Sequence, residues 1–127
     1  MQSFLSRNIF DEEHDEFRDV VRRFVEKEVV PNLERWSEAG LVDRELIAKA
    51  GQTGILGMSA PEQFGGGGVD EFRFIAIVIE ELARVGATAI VMTLCGFNDL
   101  VAPYFVAFGS DEQNARWLAP MLAGEKV

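Results

Sequence analysis

The 127-residue sequence holds one histidine, His14, and one cysteine, Cys95, and these two bound its site chemistry. A zinc site takes about four ligands, drawn mostly from His and Cys, and two are present. A di-iron bundle needs two carboxylate-x-x-His motifs, which one histidine cannot furnish. A lone cysteine forms no intramolecular disulfide and fits a reducing compartment. On an apolar helix it reads as a small core residue rather than a reactive thiol. A Ser-His-Asp triad would have to use His14, which stands in the acidic run Asp11 to Glu16 and reads as part of an exposed helical face. That run invites a metal reading. Carboxylates in a first turn are equally what the positive end of a helix dipole attracts, and this is the reading adopted. No catalytic residue, metal ligand or cofactor-binding residue is predicted.

The second feature with chemical potential is Pro61-Glu62-Gln63-Phe64 followed by four glycines, Gly65 to Gly68. A Walker phosphate loop ends in Gly-Lys-Ser/Thr, and no lysine occurs between Lys49 and Lys126. The dinucleotide fingerprint G-x-G-x-x-G fails because Asp70 and Glu71 occupy the last-glycine positions. The run is read as a turn that lets backbones pack closely. What remains is a pocket. The segment Ala87–Phe108 carries a single charge, Asp99, and small residues at Ala87, Ala89, Gly96 and Ala102. As a helix it can line an apolar cavity with Met92, Thr93, Cys95, Gly96, Asp99 and Leu100, or serve as a core helix with no ligand; its periodicity allows both.

The elements that must position these residues are helical. Phe17, Val20, Val21, Phe24, Val25 and Val29 follow the 3.6-residue period of one buried stripe. Pro31 ends or restarts that helix. Asn32 to Ala39 makes a second, with Leu33 and Trp36 inward and Gly40 as its stop. Asp43 caps a third through Ala50, burying Leu46, Ile47 and Ala50. Asp70 caps a fourth, burying Phe74, Ile75, Val78, Ile79 and Leu82; Glu80 and Glu81 face away from that stripe, with Glu80 pairing with Arg84. Ala87–Phe108 is long enough to span a membrane, but Asn98, Asp99 and Pro103 in its middle are costly in hydrocarbon. It is read as a helix buried on most sides of a larger assembly. Ser110 and Gln113 form a capping box for a last helix through Trp117, Leu118 and Met121, which Gly124 stops three residues before the end. No period-2 strand pattern occurs. The expected fold is all-α, about six helices in an orthogonal or up-down bundle.

Composition agrees with one globular domain: 48% hydrophobic and 26% charged residues. A net charge of −9 and a pI near 4.5 argue against nucleic acid and anionic lipid. Met1 to Phe10 lacks a secretory apolar stretch, so the cytoplasm is expected.

Several segments in order resemble the opening of an acyl-CoA dehydrogenase. They are Phe24-Val25-Glu26-Lys27-Glu28-Val29-Val30-Pro31 with Trp36 and Gly40, Gly54-Ile55-Leu56-Gly57, Pro61-Glu62-Gln63-Phe64-Gly65-Gly66, and Glu80-Glu81-Leu82-Ala83-Arg84. The end agrees too, in Gly109-Ser110-Asp111-Glu112-Gln113, Trp117-Leu118-Ala119-Pro120 and Gly124-Glu125. Trp36 to Gly57 is most similar to the long-chain branch. The resemblance implies that residues 1–127 are the N-terminal helical domain of a flavoenzyme of fatty acid β-oxidation, without its middle β-domain and C-terminal helical domain. In that family a glutamate base takes the α-proton, FAD takes the β-hydride, and an electron-transfer flavoprotein takes the electrons. The usual assembly is a homotetramer or related dimer, cytoplasmic in bacteria or in the mitochondrial matrix of eukaryotes. The flavin motif and the catalytic glutamate belong to the other domains, so the chain alone is expected to hold no flavin and to be inactive. Its share, by resemblance, is one wall of the acyl pocket: Met92, Cys95, Gly96, Asp99 and Leu100. By the same resemblance, Met92 and Gly96 stand where members preferring shorter chains can carry bulkier polar residues, and Gly96 implies room for a long or bulky acyl group. The competing expectation is a stand-alone helical module that binds a protein partner or apolar ligand through Ala87–Phe108.

Overall fold

The computed structural model describes residues 9–127, so most of Met1–Phe10, the segment expected to lack a secretory stretch, lies outside the described residues. Helix α1 (Glu12–Phe24) continues through a π-helical turn (Val25–Val29) and a 3-10 turn (Val30–Asn32) into α2 (Leu33–Ala39). Helix α3 spans Arg44–Gln52 and α4 spans Phe72–Arg84. Helix α5 runs unbroken over Thr88–Phe108, with a π turn at Phe97–Val101. Residues 111–122 make α6, with a π turn at Asn114–Leu118. The fold is all-α: no strand occurs among the described residues.

Proline explains the three π turns. Each ends two residues before one: Val29 before Pro31, Val101 before Pro103, Leu118 before Pro120. A proline has no N–H to offer the carbonyl four residues back, and its ring presses on that carbonyl. The preceding residue then bonds one residue further along: Val30 N–H to Val25, Ala102 N–H to Phe97, Ala119 N–H to Asn114. This is the local remedy that π-bulges provide. The break expected at Pro31 is therefore a widened turn, and the chain stays helical across it.

The widened turns also fix which residues face inward. In a regular α-helix each four-residue step drifts by about 40°. Here rows at strict four-residue spacing stay buried: Val21, Val25 and Val29; Ile90, Leu94, Asn98 and Ala102; Asn114, Leu118 and Leu122, none more than 4% exposed. Val20, expected inside, is exposed because it lies off this row. The row on α5 joins two cores. Ile90 and Leu94 belong to the main one with α1, α3 and α4, whereas Ala102 packs with Ala60, Leu118 and Leu122. The opposite face of α5 is bare, with Met92, Leu100, Tyr104, Val106 and Phe108 exposed. By length and composition alone this helix could cross a membrane, a test that a core helix also passes. Within this chain it is buried along one row rather than on most sides.

Three polar expectations are corrected. His14 is fully buried, not exposed: its Nδ1 accepts from the Asp11 N–H at 3.0 Å, and Nε2 donates to Glu71 at 3.1 Å. Glu81 is buried rather than solvated, and Arg84 bonds to it instead of pairing with Glu80, which bridges to Arg18. Glu71, not Asp70, is the N-cap of α4, and its side chain makes no cap bond. Gly40 and Gly124 close their helices with φ of 66° and 73° as expected, and the Ser110–Gln113 capping box is formed.

Candidate acyl cavity

A cavity of about 440 Å³ lies beside the middle of α5. Met92, Gly96 and Leu100 form its α5 wall, and the opposite side comes from Ile47 of α3, Leu56 of the following loop and Met121 of α6. The four-residue spacing of the α5 residues keeps them on one face, the bare one opposite the buried row. Gly96 enlarges the space directly, because a Cβ built there meets nothing within 4 Å. Thr93 also lines the cavity, and Lys126 supplies its one cationic side chain among the described residues. Lys126 is held near the rim by Trp117, its Nζ 4.5 Å from the ring centroid.

Two residues expected in this wall do not line the cavity. Cys95 is turned into the main core, where burial, with the nearby Asp99 charge adding to it, pushes its thiol up to about 11. Asp99 lies off the cavity face, its carboxyl held above its ordinary range by burial. Both follow from helical geometry: Cys95 and Asp99, four residues apart, share the flank of α5 opposite the one through Thr93, Phe97 and Val101, which do line the cavity. The contributions of Ile47, Leu56 and Met121 were not legible: they come from three separate segments and carry no spacing signal.

Asn98 ties the two sides together. Its Oδ1 accepts from the Gly57 N–H at 2.6 Å, and its Nδ2 donates to the Ile55 carbonyl at 2.8 Å. These bonds bracket Leu56. Behind the loop, backbones approach closely: a Cβ on Gly51 or Gly124 would come within 2.7 or 2.5 Å of backbone atoms of Ala123 or of Ala48 and Ile47.

The glycine loop does not fit a flavin pyrophosphate. Gly65, Gly66, Gly67, Gly68 and Val69 all donate their N–H groups to carbonyls of residues 57–62, leaving none to point at a phosphate. A Cβ at Gly66 would stand 2.1 Å from the Ala60 oxygen, so the run serves close packing. Nor does the acidic N-terminus offer a free imidazole. Asp11, Glu13 and His14 lie close together, but both His14 nitrogens are already engaged.

The all-helical fold is the one that the resemblance to the acyl-CoA dehydrogenases implied. Residues 11–125 match the family model described as "Acyl-CoA dehydrogenase, N-terminal domain", and the chain belongs to the acyl-CoA dehydrogenase family. It is 43% identical over 121 residues to the mitochondrial long-chain specific acyl-CoA dehydrogenase of Sus scrofa, covering 95% of this chain and 27% of that protein. Its fold superposes on the acyl-CoA dehydrogenase of Geobacillus kaustophilus with a TM-score of 0.84 at 35% identity, covering 93% of this chain and 30% of that one. A Bacillus anthracis acyl-CoA dehydrogenase crystallised in complex with FAD is similar too, with a TM-score of 0.67 at 27% identity, covering 93% of this chain and 20% of that one. The chain thus spans under a third of the length of these relatives, which come from mitochondria and bacteria alike.

Proposed function

We propose that this chain is the N-terminal domain of an FAD-dependent acyl-CoA dehydrogenase, an oxidoreductase that introduces the α,β double bond into acyl-CoA thioesters. Its own part is to supply one wall of the acyl cavity through Met92, Gly96 and Leu100. The observation that carries this reading is the apolar cavity of about 440 Å³ beside α5, with Met92 and Leu100 left bare along it. Such a bare apolar face suits a surface that further polypeptide covers. The flavin and the catalytic glutamate then come from residues outside this chain, consistent with a glycine loop whose amides are already committed. The acceptor of the electrons is an electron-transfer flavoprotein, and the complete enzyme is a homotetramer of the bacterial cytoplasm or mitochondrial matrix.

The test is to express the full-length protein and the 127-residue chain side by side. The full-length protein is expected to carry flavin absorbance and to reduce a dye when given acyl-CoA, and the chain alone to do neither. A full-length protein that is colourless, or inert to acyl-CoA of every chain length, overturns the reading. So does a 127-residue chain that is yellow and active.

A further inference from the structure

We propose that Asn98 is a positioning residue that sets the separation of the two cavity walls, and through it the length of acyl chain accepted; the second half of this rests on the acyl-cavity reading above. Asn98 occupies a place in the buried row of α5 where Ile90, Leu94 and Ala102 are all apolar, so packing alone does not ask for an amide. Burying one is unfavourable unless both of its polar ends are bonded. Both ends are used, and both on the same target, the backbone of residues 55 and 57. That segment lies outside any helix or strand, and its Leu56 side chain lines the cavity opposite Gly96 and Leu100. The two hydrogen bonds clasp the residues on either side of Leu56, so the Leu56 wall is held at a fixed distance from the α5 wall. The π turn aids this: Asn98 sits within it, and the widened turn keeps Asn98 in the buried row while Gly96 and Leu100 stay on the cavity face. Without the clasp, Leu56 is free to fall into the cavity and shorten it.

Two measurements on Asn98→Leu test this. The first is independent of the enzymatic reading. Hydrogen exchange at the Gly57 amide of the 127-residue chain is expected to speed up about tenfold, the loss of one buried hydrogen bond, with helices α1 and α4 unchanged. The second uses the full-length flavoprotein with butyryl-CoA and palmitoyl-CoA. The KM for palmitoyl-CoA is expected to rise about tenfold, with kcat on butyryl-CoA preserved. Should Asn98→Leu not fold, Asn98→Ala removes both bonds with a smaller side chain and is expected to move the same two readings in the same direction. Unchanged exchange at Gly57 overturns the positioning role. Faster exchange with parallel changes for both substrates overturns the link to chain length. A wild-type full-length protein that turns over neither substrate overturns the acyl reading, and with it the chain-length part, while the exchange result still decides the clasp.

Discussion

Glu81 of α4 accepts two hydrogen bonds from Arg22 of α1, each 3.0 Å long. Arg18, also of α1, and Arg84 add one each, at 3.1 and 3.2 Å. The carboxylate itself is 2% exposed, while Arg22 and Arg84 remain partly in water. A single buried carboxylate thus draws three guanidinium groups together and pins α1 against α4. Replacing it by the neutral isostere, Glu81→Gln, weakens several charge-assisted bonds at once. Because the arginines can recover some hydration, the expected loss is about 1–3 kcal/mol. The urea unfolding midpoint of the chain measures it, and an unchanged midpoint refutes the clamp.

The same residue gives the fold a pH dependence. Burial drives the Glu81 carboxyl upward, but the hydrogen bonds from Arg22 and Arg18 outweigh it, so its pKa lies below the ordinary 4.5. A carboxylate depressed in the folded state binds fewer protons there than in the unfolded chain. Its stabilisation is complete above pH 4.5 and is lost as the pH falls from there through the folded value. Unfolding midpoints of wild type are expected to decline over that acid range more steeply than those of Glu81→Gln. Parallel curves would show that Glu81 is not the group responsible.

Glycines in different settings should respond in opposite senses. Gly96 is helical with open space at its Cβ position, so Gly96→Ala should stabilise the chain by about 0.4–1 kcal/mol. In contrast, Gly124 has a φ of 73°, and an alanine methyl there would fall 2.5 Å from backbone atoms of Ile47 and Ala48. Gly124→Ala should therefore cost about 1–3 kcal/mol. Thermal melts of the two variants decide the matter. In the full-length enzyme, Gly96→Glu is expected to shift preference toward shorter acyl chains, and an unaltered chain-length profile would count against Gly96 as part of the wall.

Cys95 should behave as an inert thiol. It is buried in the main core and its pKa is pushed up to about 11, so little thiolate exists at neutral pH. A thiol reagent at about pH 7, well below that value, is expected to leave the native chain unmodified and to label it fully in denaturant. Rapid labelling of the native chain would contradict the burial.

What could be read from the sequence was local. The Ser110–Gln113 box closes over three residues, with bonds of 2.9 and 3.2 Å, and Gly40 and Gly124 stop helices by their own φ. The resemblance pointed to Met92, Gly96 and Leu100, which line the cavity, but pointed equally to Cys95 and Asp99, which do not. The polar residues were misread where their partners are remote: Glu71 lies 57 positions from His14, and Arg22 lies 59 from Glu81. A charged residue inside an acidic or apolar run carries no mark of such a partner. The same reason hid Asn98, whose contacts are 41 and 43 residues away. The π turns had a visible sign, a proline following apolar residues spaced by four, but a 3.6-residue template averages over it.

These widened turns make helix length a constrained quantity in this fold. Adding or removing one residue in an ordinary α-helix swings everything beyond it by about 100°. In three helices here one surplus residue is already absorbed, at the place where a proline has freed a carbonyl. Deleting a residue from 97–101 would therefore remove that surplus and return the turn to ordinary α-helix. Ala102 would then follow Leu94 by seven residues, about 20° from its present row, whereas inserting a second surplus residue would turn the second half of α5 and carry Ala102 and Phe105 away from the smaller core.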